Sequence, residues 1–109
     1  RGSDQLPIYA ISKAADMQLA RNLAVEWGAS NVRANCIAPG LVKTDFAKAL
    51  WDNPDIYNKT VAQAPLRRIG EPDEIAGCAV MLAGKAGSFI TGQTIVVDGG
   101  VTISGRGSG

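Results

Sequence analysis

Two residues near the N-terminus carry the first suggestion of chemistry. Tyr9 and Lys13, in the stretch Tyr9-Ala10-Ile11-Ser12-Lys13-Ala14-Ala15, stand four positions apart, which on a helix puts them on one face about a turn apart. A phenol, with a pKa near ~10, is a poor general acid-base at neutrality. An ammonium held one turn away favours the phenolate and draws that pKa toward the working range. The pattern is short, and it reads equally as a core aromatic beside a lysine that lays its stem along apolar surface.

The element that must position the pair is a helix over residues 9–27, since no Pro or Gly interrupts the chain before Gly28. Pro7 disfavours helix for Leu6, so Leu6-Pro7-Ile8 is expected to lead in extended. Wound at about 100° per residue, Tyr9, Ala10, Met17, Ala20, Ala24 and Trp27 gather on one side. Lys13 falls inside that stripe as its only charge, with Asp16 at the border. A lysine on the apolar face, in the positive first turn, breaks two local rules at once, as functional positions do. Ile11, Ala14, Ala15, Leu19 and Leu23 make the rest of the circumference partly apolar, so two packing partners are expected: the helix's own sheet and a neighbouring subunit.

After a turn at Gly28-Ala29-Ser30-Asn31, residues 32–38 read as a short strand whose only charge is Arg33, stopped by Pro39-Gly40. Helix, short loop, strand is the second half of a βαβ crossover, which implies a parallel sheet. Ligands in open α/β sheets bind beyond the carboxyl ends of the strands, here at Pro39-Gly40-Leu41-Val42-Lys43-Thr44-Asp45. Gly40 would let backbone approach a ligand closely, and Thr44 offers a hydroxyl before a new helix. The same residues also describe a plain turn with Thr44 as N-cap.

Residues 46–63 read as two short helices broken at Asp52-Asn53-Pro54-Asp55, an excursion over the ligand site in which Trp51, Ile56 and Tyr57 either line a pocket or pack the lid down. Arg67 and Arg68 follow in a connector, read as solvated charges or an anion contact. Pro72 to Ala83 is a helix with Pro72 in its first turn and Asp73 and Glu74 at its positive end. Gly84 is its expected C′ residue, and Gly77 inside it suggests close packing. Thr94-Ile95-Val96-Val97 reads as a strand covered on both faces, ended by the turn Asp98-Gly99-Gly100.

Composition narrows the function. The 109 residues carry 11 basic and 10 acidic side chains, for a net charge of +1, and 46% are hydrophobic. That balance suits one packed domain and lacks the basic blocks of a nucleic-acid binder. No apolar run approaches the ~18 residues that span a bilayer. Cys36 and Cys78 form no C-x-x-C, which fits a reducing, cytoplasmic setting. Histidine is absent, which removes Ser-His-Asp and Cys-His catalysis and most zinc patterns; no metal site is expected. Residues 105–109 read as a flexible, linker-like tail with no part in the fold.

Taken together, the Tyr9–Ala15 stretch, Asn31-Val32-Arg33-Ala34-Asn35-Cys36-Ile37-Ala38-Pro39-Gly40 with Thr44, Gly70-Glu71-Pro72-Asp73-Glu74-Ile75-Ala76, and Thr91-Gly92-Gln93-Thr94-Ile95-Val96-Val97-Asp98-Gly99-Gly100 closely resemble the C-terminal half of short-chain dehydrogenases/reductases. The likeness runs from about Ile8 to Val101 and is similar to the branch holding 3-oxoacyl-carrier-protein reductases, glucose dehydrogenases and carbonyl reductases. It implies an α/β fold, the C-terminal half of a doubly wound parallel-sheet Rossmann domain occupying residues 1–104. It also implies NAD or NADP as cofactor and a small alcohol or carbonyl substrate. By the same resemblance Tyr9 exchanges a proton with the substrate oxygen, and Lys13 lowers the Tyr9 pKa and bonds the nicotinamide ribose. Pro39, Gly40 and Val42 border the nicotinamide, and Thr44 bonds its carboxamide or the pyrophosphate. The first helix, and the last helix with the last strand, would form the interfaces of a homo-oligomer, a tetramer or dimer.

The family's glycine-rich phosphate loop, its cofactor-choosing residue and its catalytic serine and helix asparagine have no counterpart here; Ser3 and Ser12 lie too close to Tyr9 for the serine's role. The expectation is therefore a segment of a longer enzyme or one half of a split reductase. The alternative is a non-catalytic assembly module that keeps the interface helices.

Overall fold

The computed structural model describes residues 7–104, with side chains described from Ile11 onward. Leu6 and the 105–109 tail, on which two expectations fall, lie outside the described residues. The order is α1 (Pro7–Trp27), β1 (Cys36–Pro39), α2 (Lys48–Trp51), α3 (Pro54–Gln63), α4 (Pro72–Ala83) and β2 (Thr94–Val97), with three 3₁₀ turns at Gly28–Ser30, Lys85–Gly87 and Val101–Ile103. The two strands pair in parallel: Cys36 N donates to Gln93 O at 2.8 Å, and four residues on in each segment Gly40 N donates to Val97 O at 3.0 Å. The α/β class with a parallel sheet holds.

Several boundaries differ from expectation, each for a physical reason. The first helix begins at Pro7, not Tyr9, because proline's fixed φ and missing N–H suit the first helical position; Pro7 and Ile8 are helical, not extended. Strand β1 begins at Cys36, not residue 32. The polar groups just before it are taken largely by side chains: Thr91 Oγ1 accepts from Ala34 N at 3.1 Å, and Asn35 both donates to Ile90 O at 3.0 Å and accepts from Gln93 N at 3.1 Å. Gly84 is extended, with φ −90° and ψ −172°, so it is not a left-handed C′ residue. The end of α4 is closed instead by Arg33, whose Nη1 donates to Leu82 O at 2.6 Å and to Gly87 O at 2.7 Å, a basic side chain satisfying terminal carbonyls. Gly77 meets nothing within 4 Å of an added Cβ; the close approach is at Gly87, where a Cβ would come 2.6 Å from the Leu82 and Met81 carbonyl oxygens. Strand β2 matches expectation in extent, but Val96 is 49% exposed, so its two faces are not both covered among the described residues.

The described chain divides into two compact units, residues 7–37 with 81–95 and residues 38–80 with 96–104. In the first, α1 buries Ala20 and Ala24, and Leu82 is buried with them. Gly92, at φ +72°, brings its backbone against α1; a Cβ there would lie 3.2 Å from Ala24 Cβ. Asn31, at φ 61°, turns the chain after α1 and donates to Gly28 O at 2.9 Å, a left-handed position that asparagine tolerates.

In the second unit α2 and α3 are the two short helices expected over 46–63. Asn53 caps α3, accepting from Asp55 N at 2.9 Å and Ile56 N at 3.2 Å, with Pro54 at the first position. The N-terminus of α4 is closed by Glu74, whose Oε1 accepts from Glu71 N at 3.0 Å, the returning half of a capping box. Glu74 also forms a two-pronged pair with Arg68, at 2.6 and 2.8 Å. Arg68 and the Glu71 N–H together hold the Glu74 carboxyl down to about 2, and Glu74 in turn raises Arg68. Arg67, at φ 59°, turns back to donate to the Ala62 carbonyl. Arg68 thus meets an anion within the chain, the Glu74 carboxylate, and Arg67 bonds backbone carbonyls.

Candidate active site

Helix α1 supplies the first group of residues. From Ile11 to Trp27 its inward stripe is Lys13 and Met17, half-buried, then Ala20 and Ala24, buried. These lie at i, i+4, i+7 and i+11, so Lys13 sits at the centre of the apolar face, as expected. Trp27, expected on the same stripe, is 46% exposed at the helix end. Tyr9 is in α1 by its backbone, one turn or about 6 Å of rise before Lys13; its side chain lies outside the described residues. Ile11, Leu19, Leu23 and Val25 line the opposite side and are exposed.

The second unit carries Pro39, Gly40, Val42 and Thr44. Val42 forms an isolated parallel bridge with Gly70: Lys43 N donates to Gly70 O and Gly70 N to Leu41 O, both at 2.9 Å. In that pairing the neighbours of Val42 face Gly70, so the Val42 N–H and C=O project from the other edge. Its carbonyl accepts from Thr44 N at 2.8 Å. Thr44 Oγ1 accepts from Ala47 N at 3.1 Å, closing the turn that precedes α2. The hydroxyl is thus held as an acceptor within the turn, and its proton remains to be donated.

Gly40 is required for a reason the sequence does not reveal. A Cβ at this position would lie 2.8 Å from Asp98 Cβ and 2.9 Å from Asp98 Cα. The close approach is thus to the end of β2. Asp98 is fixed there: its carboxylate accepts from Gly100 N and Thr102 N, both at 2.9 Å. Burial pushes the Asp98 carboxyl up, but the N–H groups of Thr102 and Gly100 outweigh it and hold the group below its ordinary value. Gly99 and Gly100, at φ +65° and +93°, make the turn possible, and Gly99 O accepts from Leu66 N at 3.1 Å. An apolar cavity of about 600 Å³ opens beside this corner, among Leu41, Ile69, Ile75 and Val97.

Trp51 is more closely engaged than its sequence position suggests. Its indole N–H donates to Thr44 O at 2.7 Å, and Lys43 Nζ and Lys48 Nζ lie 5.3 and 5.6 Å from its ring centroid. With Tyr57, Lys43 and Ile69 it lines a cleft of about 360 Å³. Cys36 and Cys78 are free thiols. Among the described residues no cluster of acidic, Cys or His side chains is placed to hold a metal, and no helix is long and apolar enough to cross a membrane.

Comparison with known proteins bears on this arrangement. A family model described as Enoyl-(Acyl carrier protein) reductase matches residues 1–102. A tropinone reductase homolog of Arabidopsis thaliana is 44% identical over 98 residues, 90% of this chain and 37% of its own length. Dehydrogenase/reductase SDR family member 4 of Oryctolagus cuniculus is 46% identical over 92 residues, 84% of this chain and 35% of its own. The chain thus spans little more than a third of these relatives. Among solved structures, a short-chain type dehydrogenase/reductase from Mycobacterium ulcerans superposes with a TM-score of 0.86 at 39% identity, covering 90% of this chain and 36% of that one. A 4-hydroxyisoleucine dehydrogenase complexed with NADH gives 0.84 at 32%, covering 88% and 40%. A gluconate 5-dehydrogenase from Burkholderia cenocepacia in complex with NADP and tartrate gives 0.82 at 35%, covering 88% and 38%.

Proposed function

The chain belongs to the short-chain dehydrogenase/reductase family, and from that membership we propose that the protein it forms part of is an NAD(P)-dependent oxidoreductase interconverting an alcohol and a ketone or aldehyde. The observation that carries the reading is the place of Lys13. Lys13 stands half-buried within the apolar stripe of α1, one helical turn along the backbone from Tyr9. An ammonium in that position favours the phenolate and lowers the pKa of a neighbouring phenol. Tyr9 is the acid-base: its hydroxyl gives a proton to the carbonyl oxygen in reduction and takes it back in oxidation.

By their chemistry the donors of the loop after β1 suit a nicotinamide dinucleotide: the free edge of Val42 offers an N–H to a carboxamide oxygen, and the Thr44 hydroxyl offers its proton to the same group or to a pyrophosphate. On α1, taken by itself, Lys13 carries an ammonium of the kind that bonds ribose hydroxyls. When bound, that cofactor supplies or accepts the hydride. Pro39 and Gly40 shape the wall beside it. Residues 46–63, with Trp51, Ile56 and Tyr57, bear on substrate choice, and the exposed apolar side of α1 is the face we assign to a second copy of the chain in a homo-oligomer.

The test is made on the full-length protein. Tyr9→Phe should abolish most turnover while NAD(P)H still binds, and Lys13→Ala should lose activity and cofactor affinity together. Turnover retained in Tyr9→Phe would refute the assignment.

A further inference from the structure

Thr44 is held from two sides by the segment that follows it. Its hydroxyl oxygen accepts from Ala47 N at 3.1 Å, and its carbonyl accepts from the Trp51 indole at 2.7 Å. The second bond reaches seven residues along the chain, from α2 back to the loop beyond β1. It closes the Asp45-Phe46-Ala47 turn into a ring whose far side is the first lid helix. Trp51 is itself fixed, half-buried, with Lys43 and Lys48 against its ring and Lys48 tied to Asp52 at 2.9 Å. A cation within ~6 Å of an indole face is attracted to it, so the ring is held in orientation on the same short segment that supplies its hydrogen bond.

We propose that Trp51 is a positioning residue for cofactor binding, acting through Thr44. By pinning the Thr44 carbonyl, the indole N–H fixes the turn in which the Thr44 hydroxyl is already committed as an acceptor. The hydroxyl proton then has a preset direction, and ordering it costs nothing further when a carboxamide or phosphate oxygen arrives. Because Trp51 belongs to α2, the same hydrogen bond ties that helix to the loop that carries Thr44. The inference rests on the functional reading above and assigns a role to a lid residue that the reading leaves open.

Trp51→Phe separates the indole N–H from the ring, since phenylalanine keeps an aromatic face for the two lysines. In the full-length protein, titrated with NADH and with NADPH, Trp51→Phe should weaken binding of the preferred cofactor about three- to tenfold, the range expected for one lost hydrogen bond. It should raise the KM for the cofactor by a larger factor than it lowers kcat. In a Thr44→Val background the same substitution should have no further effect, because both changes disable one hydroxyl. In the unmodified protein, cofactor should slow amide exchange at Ala47, a readout independent of any variant's folding.

Unchanged affinity in Trp51→Phe, an equal loss in both backgrounds, or unaltered Ala47 exchange on cofactor binding would each overturn the proposal. If the unmodified protein bound neither NADH nor NADPH, the functional reading itself would fall, and the positioning role with it. The two failures are therefore distinguishable.

Discussion

Replacing Gly40 by alanine tests the corner on which the cofactor loop rests. Gly40 carries no positive φ in the structure, so by the usual rule Gly→Ala would stabilise by about 0.4–1 kcal/mol through the unfolded state. The geometry reverses that sign. The new methyl carbon would lie 2.8 Å from Asp98 Cβ and 2.9 Å from Asp98 Cα, against about 3.5–4.0 Å for a relaxed carbon contact. Backbone atoms cannot rotate away as a side chain end could, and Asp98 is anchored by two N–H bonds at 2.9 Å. Relief therefore requires β1 to lift off the end of β2, which strains or breaks the 3.0 Å bond from Gly40 N to Val97 O. Overpacking of this kind costs about 1–3 kcal/mol, and the lost bond adds about 1 kcal/mol. Net of the unfolded-state gain, Gly40→Ala should destabilise the full-length protein by roughly 1–3 kcal/mol, read from urea denaturation with an unchanged slope. Because Val42 and Thr44 follow directly, cofactor affinity should fall as well. A variant as stable as the parent, or more so, would refute the reasoning about Asp98.

Two further outcomes follow from features of the fold. Glu74 has its carboxyl depressed from 4.5 to about 2 by Arg68 and by the Glu71 N–H; a depressed carboxylate stabilises the folded state above its unfolded pKa and loses that contribution as pH falls through the folded value. The advantage of the parent over Glu74→Gln should therefore be constant above about pH 5 and vanish between about 4.5 and 2. It should also shrink with added salt because the pair is exposed; an advantage that persists at pH 2 would rule this out. For the assembly, sedimentation of the full-length protein should give an oligomer that Val25→Glu and Leu19→Glu, on the exposed side of α1, drive toward monomer; a monomeric parent would exclude the assigned interface.

What was legible in the sequence was what local chemistry determines. Helix α4 was read to the residue because Pro72 opens it, acidic side chains follow, and Gly84 breaks the pattern. Strand β2 was read to the residue because four β-branched residues stand between Gln93 and Asp98. Lys13 was placed on the inner face by periodicity alone. One misreading was local, since Pro7 suits the first position of a helix as well as an extended lead-in; those around the site were non-local. Residues 32–35 look like strand, but Val32 N bonds back to Trp27 O, and Ala34 N and the Asn35 side chain bond to Thr91 Oγ1 and Ile90 O, more than fifty positions away. Arg33 looked like a lone strand charge, yet it caps α4 because the fold brings the Leu82 carbonyl to it. Gly40 was read as a place where backbone could approach a ligand closely, whereas the close neighbour in the fold is Asp98, which spacing could not identify. Trp51 was seen as a lid residue, with no local sign of its bond to Thr44.

The lacing of residues 33–35 to residues 87–93 has a consequence for how the chain folds. Joining Ala34 to Thr91 closes a loop of 57 residues. By chain statistics that costs about 1.5 kcal/mol more than closing a ten-residue loop, and no single bond there repays it. The contacts must form together, after α2, α3 and α4 have shortened the intervening chain. The parallel pairing of β1 with β2 should thus be a late, cooperative event whose rate falls when Arg33, Asn35 or Thr91 is weakened, and native topology, not helix strength, should set the speed at which this segment folds.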